Sequence, residues 1–507
     1  MLRIESISSI ETAKQVAWLL QKENERLHQR LNELLRENAR LKGQDGNAQL
    51  ELELKRIEQQ MSKLQRMMFS ASSERRKGDG ENQGEPEKEN EEKKVRGHGP
   101  HEQPSLPRID EVIAVPEEER TCELCGGQLE EWVGQFEEAE EITVVERQFV
   151  IKKIKRQKCR CPQGCTVKTA PSNPKPIEGG RYSTEFAVEV AIAKYLDHLP
   201  LERQVRIMGR EGLEITSQTL WDQLWALKQL YEPSGKKILQ HIISQEVAYG
   251  DETPWFLLPE GGRKKWYAWA AACHDAVYFR IDPHRSTEAA EELWQGFSGT
   301  MMVDGYNAYV SLAKKRALGD LKLAYCWAHV RRKFVECEKD YPLECKQALD
   351  LIRAMYKVES ECPNPWKGNG AEREALFEHI AKMRHEKTRP IAEELKKWGQ
   401  QQLAFPESTF REAIEYMLGH WTELTRFLDN PKIPIDNNKT ERTIRGPVLG
   451  RKNHYGSKSR RGAETTALMY TLIETAKLQG VNPKTYLLAV AKAALKNPSI
   501  ALLPNEI

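Results

Sequence analysis

Glu441 stands in a basic field. Between residues 432 and 461 the chain carries nine Lys or Arg against two acids, Asp436 and Glu441, while all 507 residues together carry only +2. One carboxylate among many bases suits a metal site that also holds a polyanion, because the acid holds the cation while the bases neutralise phosphates. A basic helix with one internal ion pair is the plainer account of the run taken alone. Two further carboxylates have telling contexts: Asp251 in VAYGDETPWFLL and Asp304 at the end of TMMVDGY. Among 75 acidic residues only context separates these from turn or capping residues. Hard oxygen ligands on a rigid frame suit Mg²⁺, and two ions about 3.5–4 Å apart can activate an attacking oxygen and stabilise a leaving one.

The elements that must position these carboxylates follow from periodicity. VAYGDETPWFLL, KWYAWAAACH, VYFRI, TMMVDGY and LKLAYCWAH are aromatic and β-branched runs bounded by Gly, Pro, Asp or basic turns, hence strands. TEAAEELW and NAYVSLAKKRA between them are helical. Three strands, a helix, a strand, a helix and a strand describe an α/β sheet of ribonuclease-H type. Its first and fourth strands are neighbours, which sets Asp251 beside Asp304. From residue 330 to about 428 the strands stop and the pattern is helical, for example EAIEYMLGHWTELTRFL. This predicts a helical insertion, after which a helix following Asn437 and Asn438 can carry Glu441 to the sheet.

Upstream, Leu20, Leu27, Leu34 and Leu41 recur every seven residues, with Asn24 and Asn38 among the positions three before them. Leucine at d with asparagine at a predicts a parallel dimeric coiled coil in fixed register. Residues 70–107 are rich in Glu, Lys, Gly and Pro and nearly free of large apolar side chains, so they read as a linker. Five of the ten cysteines follow: Cys122 and Cys125, then Cys159, Cys161 and Cys165. In an intracellular chain such a cluster points to structural Zn²⁺ held by four thiolates. Cys122, Cys125 and Cys165 are the favoured ligands, with Cys159 and Cys161 competing for the fourth place. The basic run RQFVIKKIKRQKCRC beside them reads as a strand through Phe149, Ile151 and Ile154. Between residues 182 and 232, Ser183, Pro200 and Ser217 can each open a short helix. The third buries Leu220, Leu224, Leu227 and Leu230, and the trio fits a helix-turn-helix. With 39% hydrophobic residues, a mean hydropathy of −0.67 and no run of about 18 apolar residues, the chain is expected to be soluble, cytoplasmic and free of membrane spans.

Taken in order, FSASSER, CELCGG, KYLDHLPLERQ, YGDETPW, MVDGYNAY, YCWAHVRRKF and IDNNKTERTIRGPVLGRKNHYGS resemble transposases of the insertion sequence 66 family. The likeness covers nearly the whole chain outside the linker. It implies a multidomain DDE transposase with a coiled coil (12–69), a linker (70–107), a zinc-binding module (108–178) and a helix-turn-helix (182–232). A ribonuclease-H-like catalytic domain (245–329 and 431–480) follows, interrupted by an all-helical insertion (330–430) and trailed by a helical tail (481–507). Carried over residue by residue, the acidic triad falls on Asp251, Asp304 and Glu441, holding two Mg²⁺ or Mn²⁺ ions. Asp436 competes with Glu441, which NNxxE followed by two arginines favours. Arg442, Arg445, Arg451, Lys452, Lys458, Arg460 and Arg461 are left to hold DNA phosphates. Cys326-x2-His329 would shape the active site, although a strand-end Cys and a core His explain the pair as well, and two ligands alone make no zinc site. Implied partners are transposon-end and target DNA, a second copy or higher oligomer, and accessory transposition proteins. The rival readings are a ribonuclease-H-like nuclease that cuts without joining and a catalytically inactive DNA-binding regulator.

Overall fold

Ser183 accepts a hydrogen bond from Phe186 N at 3.2 Å and so starts the first helix, α1 (Thr184–Tyr195). In this computed structural model the described residues are 147–507, except 164, 259–263, 317–319 and 404–406, with isolated positions between 110 and 129. The expected coiled coil, the linker, Cys122 and Cys125 lie outside them. Residues 149–507 belong to one compact unit. Its chain is mixed α/β, and among the described residues no helix is long and apolar enough to cross a membrane.

Pro200 opens α2 (Leu201–Arg210), which ends before Gly212 at φ +83°. Thr216, rather than Ser217, caps α3 (Ser217–Ile243) by accepting from Thr219 N. The third helix is therefore not short. Leu220, Leu224 and Leu227 are buried as expected, Leu230 only partly, and the stripe continues past Pro233 through Ile238 and Ile242.

Five strands form one sheet: β1 (Val247–Leu257), β2 (Lys264–Ala272), β3 (Val277–Asp282), β4 (Gly299–Val303) and β5 (Leu321–Tyr325). Their spatial order is β3-β2-β1-β4-β5. The first three pair antiparallel, and β4 runs parallel to both β1 and β5. Helices α4 (Thr287–Leu293) and α5 (Asn307–Lys315) connect them. Of the run from 147 to 161 expected as a strand, residues 147–157 carry none. Val150 and Ile151 are 82% and 95% exposed there, so no neighbouring strand or core takes up their pattern. The sequence only pairs further on, as a ribbon of Lys158–Arg160 with Val167–Thr169.

After β5 come α6 (Trp327–Cys337), α7 (Pro342–Glu361), α8 (Gly370–Met383), a π-helical turn (Arg384–Thr388), α9 (Arg389–Gln402), α10 (Thr409–Gly419) and α11 (Trp421–Asp429), with no strand among the described residues of this stretch. A break at His420 divides the helix expected across EAIEYMLGHWTELTRFL.

The chain then returns to the sheet as α12 (Asn438–His454), α13 (Arg460–Leu478) and α14 (Pro483–Lys496). Helix α13 closes the open edge of β3: Val277 N donates to Thr475 Oγ1 at 3.1 Å and Phe279 N to Thr471 Oγ1 at 2.9 Å. An edge strand otherwise presents unpaired amides, so two threonines one helical turn apart substitute for a sixth strand. The end of the chain packs back on the first helices, where Tyr231 Oη donates to Leu487 O at 2.9 Å and Lys237 pairs with Glu506 at 2.7 Å.

Candidate active site

Asp251 lies within β1 and Asp304 follows the last residue of β4. The parallel register sets Tyr249 opposite Met302, two residues before each carboxylate, so the chain delivers Asp251 and Asp304 side by side. Gly305 turns the chain at φ +86°, a region open to glycine without steric cost. Tyr306 N donates to Asp304 Oδ1 at 2.9 Å, and Tyr416 Oη to Asp304 O at 3.2 Å. Burial, then the charges of Glu252, Glu441 and Asp304, hold the Asp251 carboxyl well above the ordinary carboxylate range.

Glu252 escaped the sequence reading, which weighed only Asp251 in that strand. It accepts from Arg285 Nε at 3.0 Å and from Tyr309 Oη at 3.0 Å. Arg285 in turn lies 3.8 Å from the centre of the Tyr306 ring. Glu252 is thus tied to its own cation and hydroxyl, which Asp251 is not. The only advance signal was its place next to Asp251.

Glu441 is delivered from the far side of the helical stretch. Asn437, which is buried, donates from Nδ2 to Gly250 O at 3.3 Å and from its backbone N to Cys326 Sγ at 3.2 Å. Trp327 N donates to Ile435 O at 3.1 Å. At the other end of α12, Ser457 N donates to Phe256 O at 2.9 Å and Leu258 N to Ser457 O at 2.8 Å. Seventeen helical residues span about 26 Å, and the eight strand steps from Gly250 to Leu258 span about the same. Helix α12 is therefore laced along β1 at both ends. Gly446 and Gly450 let it approach α13, since a Cβ at these positions would meet Glu474 Oε1 and Tyr470 Oη respectively.

Asp436 has a different surrounding. Its Oδ1 accepts from Asn438 N at 3.1 Å and its Oδ2 from Asn438 Nδ2 at 2.5 Å, and burial raises its carboxyl. It closes the start of α12, whereas Glu441 is among the charges acting on Asp251. Donor atoms of Cys326, His329 and Glu441 all fall within 4.8 Å of one another, so the CxxH pair adjoins the glutamate.

Arg442, Arg445, Lys452, Lys458, Arg460 and Arg461 are exposed. At 100° per residue Arg445 and Lys452 share the stripe of Glu441. Arg460 pairs with Glu464 at 3.0 Å, and Arg461 lies 3.9 Å from the Trp225 ring centre. Arg451 departs from the expected phosphate contact. It is 4% exposed and directed inward, donating to Pro254 O and, at 3.3 Å, to Thr253 Oγ1. Cys159, Cys161 and Cys165 sit on the ribbon and its turn; among the described residues they join no convergent donor group.

Residues 179–465, more than half of the chain and all three carboxylates with it, match the family model described as Transposase IS66 family. The chain belongs to that family. Its IS66-family relatives include "Uncharacterized protein y4jD" of Sinorhizobium fredii, 32% identical over 406 residues, covering 75% of this chain and 76% of the relative. "Uncharacterized protein y4qI" of the same organism is 32% identical over 403 residues (75% and 71%), and "Uncharacterized protein y4hP" is 26% identical over 420 (77% and 73%). As a transposase-family chain it is a DNA-processing protein, and divalent metal use goes with such transposases. Burial first, and then the charges of Glu252, Glu441 and Asp304, make Asp251 hard to ionise, and a divalent cation is the kind of group that would offset that cost.

Proposed function

We propose that this chain is a DDE transposase that binds the ends of an insertion sequence, cuts there and joins the freed ends to target DNA. What supports the reading is the parallel register that sets Asp251 beside Asp304, together with the charge of Glu441, carried by α12, which acts on Asp251 after burial and Glu252. The sheet order and mixed strand directions support a ribonuclease-H-like catalytic domain, interrupted by the helices between β5 and α12.

Asp251, Asp304 and Glu441 would hold the metal, taken as two Mg²⁺ or Mn²⁺ ions. Bound there, the ions supply the positive charge that phosphodiester attack requires. Asn437 orients the start of α12 so that Glu441 faces β1, and Glu252 stays occupied by Arg285 and Tyr309. Arg442, Arg445, Lys452, Lys458, Arg460 and Arg461 hold backbone phosphates beside the carboxylates. Hydrolysis at an element end exposes a 3′-hydroxyl, and that hydroxyl then displaces a 3′-oxygen from a target phosphodiester. Neither step needs a covalent link to protein.

In this reading a zipper over residues 12–69 pairs protomers, while the zinc module and helices α1–α3 grip the element ends in the bacterial cytoplasm. The test is metal-dependent cleavage and strand transfer on element-end DNA by the full chain, with any co-encoded accessory proteins added. Asp304→Asn is expected to lower both by at least about a hundredfold. Undiminished cleavage by this variant sinks the assignment, and cleavage without joined product in the parent makes the chain a nuclease.

A further inference from the structure

A second group of ligating side chains lies apart from the carboxylates, where the end of α3 meets the turn between β2 and β3. His241 Nε2 is 2.9 Å from Asp275 Oδ1, and Cys273 Sγ is 3.1 Å from the same oxygen. All three donor atoms fall within 4.8 Å of one another. His274 Nε2 lies 3.5 Å from that oxygen as a further donor.

We propose that His241, Cys273 and Asp275 bind one zinc ion, which clamps α3 to the sheet. Thiolate, imidazole and carboxylate together are a donor set suited to Zn²⁺ rather than Mg²⁺. With metal–ligand bonds of about 2.0–2.3 Å, neighbouring donors on a tetrahedral zinc stand about 3.3–3.8 Å apart. Shifts of about 1 Å or less bring the present atoms to that spacing. Binding releases the Cys273 thiol proton to solvent and takes His241 as the neutral ring. The fourth position falls to water or to His274.

The turn is held ready for this role. Cys273 N donates to Ala276 O at 2.8 Å, and Gln479 Nε2 donates to Asp275 O at 3.3 Å from the end of α13. The His274 ring stacks on Trp366, with centroids 3.7 Å apart, so the same turn also touches the helical stretch after β5. Cys273 is only 3% exposed, which shields a bound thiolate from competing thiols. A zinc there joins α3, which carries the amino-terminal helices, to the β2–β3 pair, whose strand β2 lies against the Asp251 strand with Ala270 opposite Asp251. Its task is to fix the distance between those parts, and it takes no share in phosphodiester chemistry.

The test is zinc content of the full chain after exhaustive dialysis, measured by mass spectrometry for the parent and for Cys273→Ser, His241→Gln and Asp275→Asn. Each variant that keeps its far-ultraviolet circular dichroism is expected to hold one zinc fewer per chain than the parent. Cobalt added to the metal-stripped parent should give a thiolate-to-metal absorption band that Cys273→Ser weakens by one site. Zinc restored to the stripped parent should raise its Tm more than it raises that of His241→Gln. Folded variants with the parent's full zinc content overturn the proposal and leave the cluster a hydrogen-bonded network.

Discussion

Asn437 Nδ2 donates to Gly250 O at 3.3 Å, across 187 residues of chain. The bond joins the residue before Asp251 to the residue that starts the Glu441 helix. Losing it leaves a buried carbonyl without its side-chain partner, a cost of about 1–3 kcal/mol. Asn437→Ala is therefore expected to lower cleavage about ten- to a hundredfold through misplacement of Glu441. Far-ultraviolet circular dichroism should stay unchanged, and unaltered cleavage would show that α12 is held without Asn437.

Asp251 carries a stability cost that metal should relieve. Its folded-state pKa lies above its unfolded value, so the folded protein binds the proton more tightly between the two. In metal-free protein, stability therefore falls as pH rises from about 4 towards the raised pKa, and the loss is complete once pH passes it. Asp251→Asn should raise the metal-free Tm at pH 7 by about 2–4 °C, and the gain should vanish near pH 4. Added Mn²⁺ should stabilise the parent more than the variant. Equal Mn²⁺ effects in calorimetry would remove Asp251 from the metal site.

Arg445 and Arg451 should separate binding from folding. Arg445 is exposed on the Glu441 stripe, while Arg451 is buried against β1. Arg445→Ala should leave Tm within about 1 °C and lower the slope of log affinity against log salt by about one phosphate contact. Arg451→Ala should lower Tm first, since Pro254 O and Thr253 Oγ1 lose their donor. Filter binding across a salt series and thermal melts distinguish the two.

Gly450 faces the Tyr470 hydroxyl, which is buried without a hydrogen-bond partner. A methyl group at residue 450 pushes α12 off α13, and Gly450→Ala should cost about 1–3 kcal/mol. Tyr470→Phe alone should be close to neutral, and together with Gly450→Ala should recover part of the loss. Urea midpoints give the coupling, and purely additive effects argue against a steric cause.

Arg384, in the π-helical turn, pairs with Glu359 at 2.8 Å and donates to Phe427 O at 2.7 Å and Ile433 O at 2.9 Å. It holds the segment that leads into Asp436. Removing one partner of a buried ion pair costs about 3–5 kcal/mol, so Arg384→Ala should unfold at markedly lower urea. Glu359→Gln, which keeps its shape and one acceptor, should cost less.

Local spacing by itself determined where most of the described helices and strands lie. Aromatic and β-branched content marked β1, and capping by Ser183 marked α1, because these signals act within a few residues. The charge pattern likewise singled out the Glu441 segment. Where local signals had no strand to pair with, they misled: Phe149, Ile151 and Ile154 alternate like a strand, yet residues 147–157 form none.

Only the tertiary structure decided what the charges face. Arg451 and Lys452 are adjacent in sequence, but one lies under the helix and the other in solvent. Asp436 and Glu441 are five residues apart, and the first closes a helix start while the second acts on Asp251. Glu252 acquires its partners from residues 33 and 57 positions away. His241 meets Cys273 and Asp275 only because α3 ends against the β2–β3 turn. Residue type and spacing specify which groups can do chemistry, while packing of distant segments sets which of them meet.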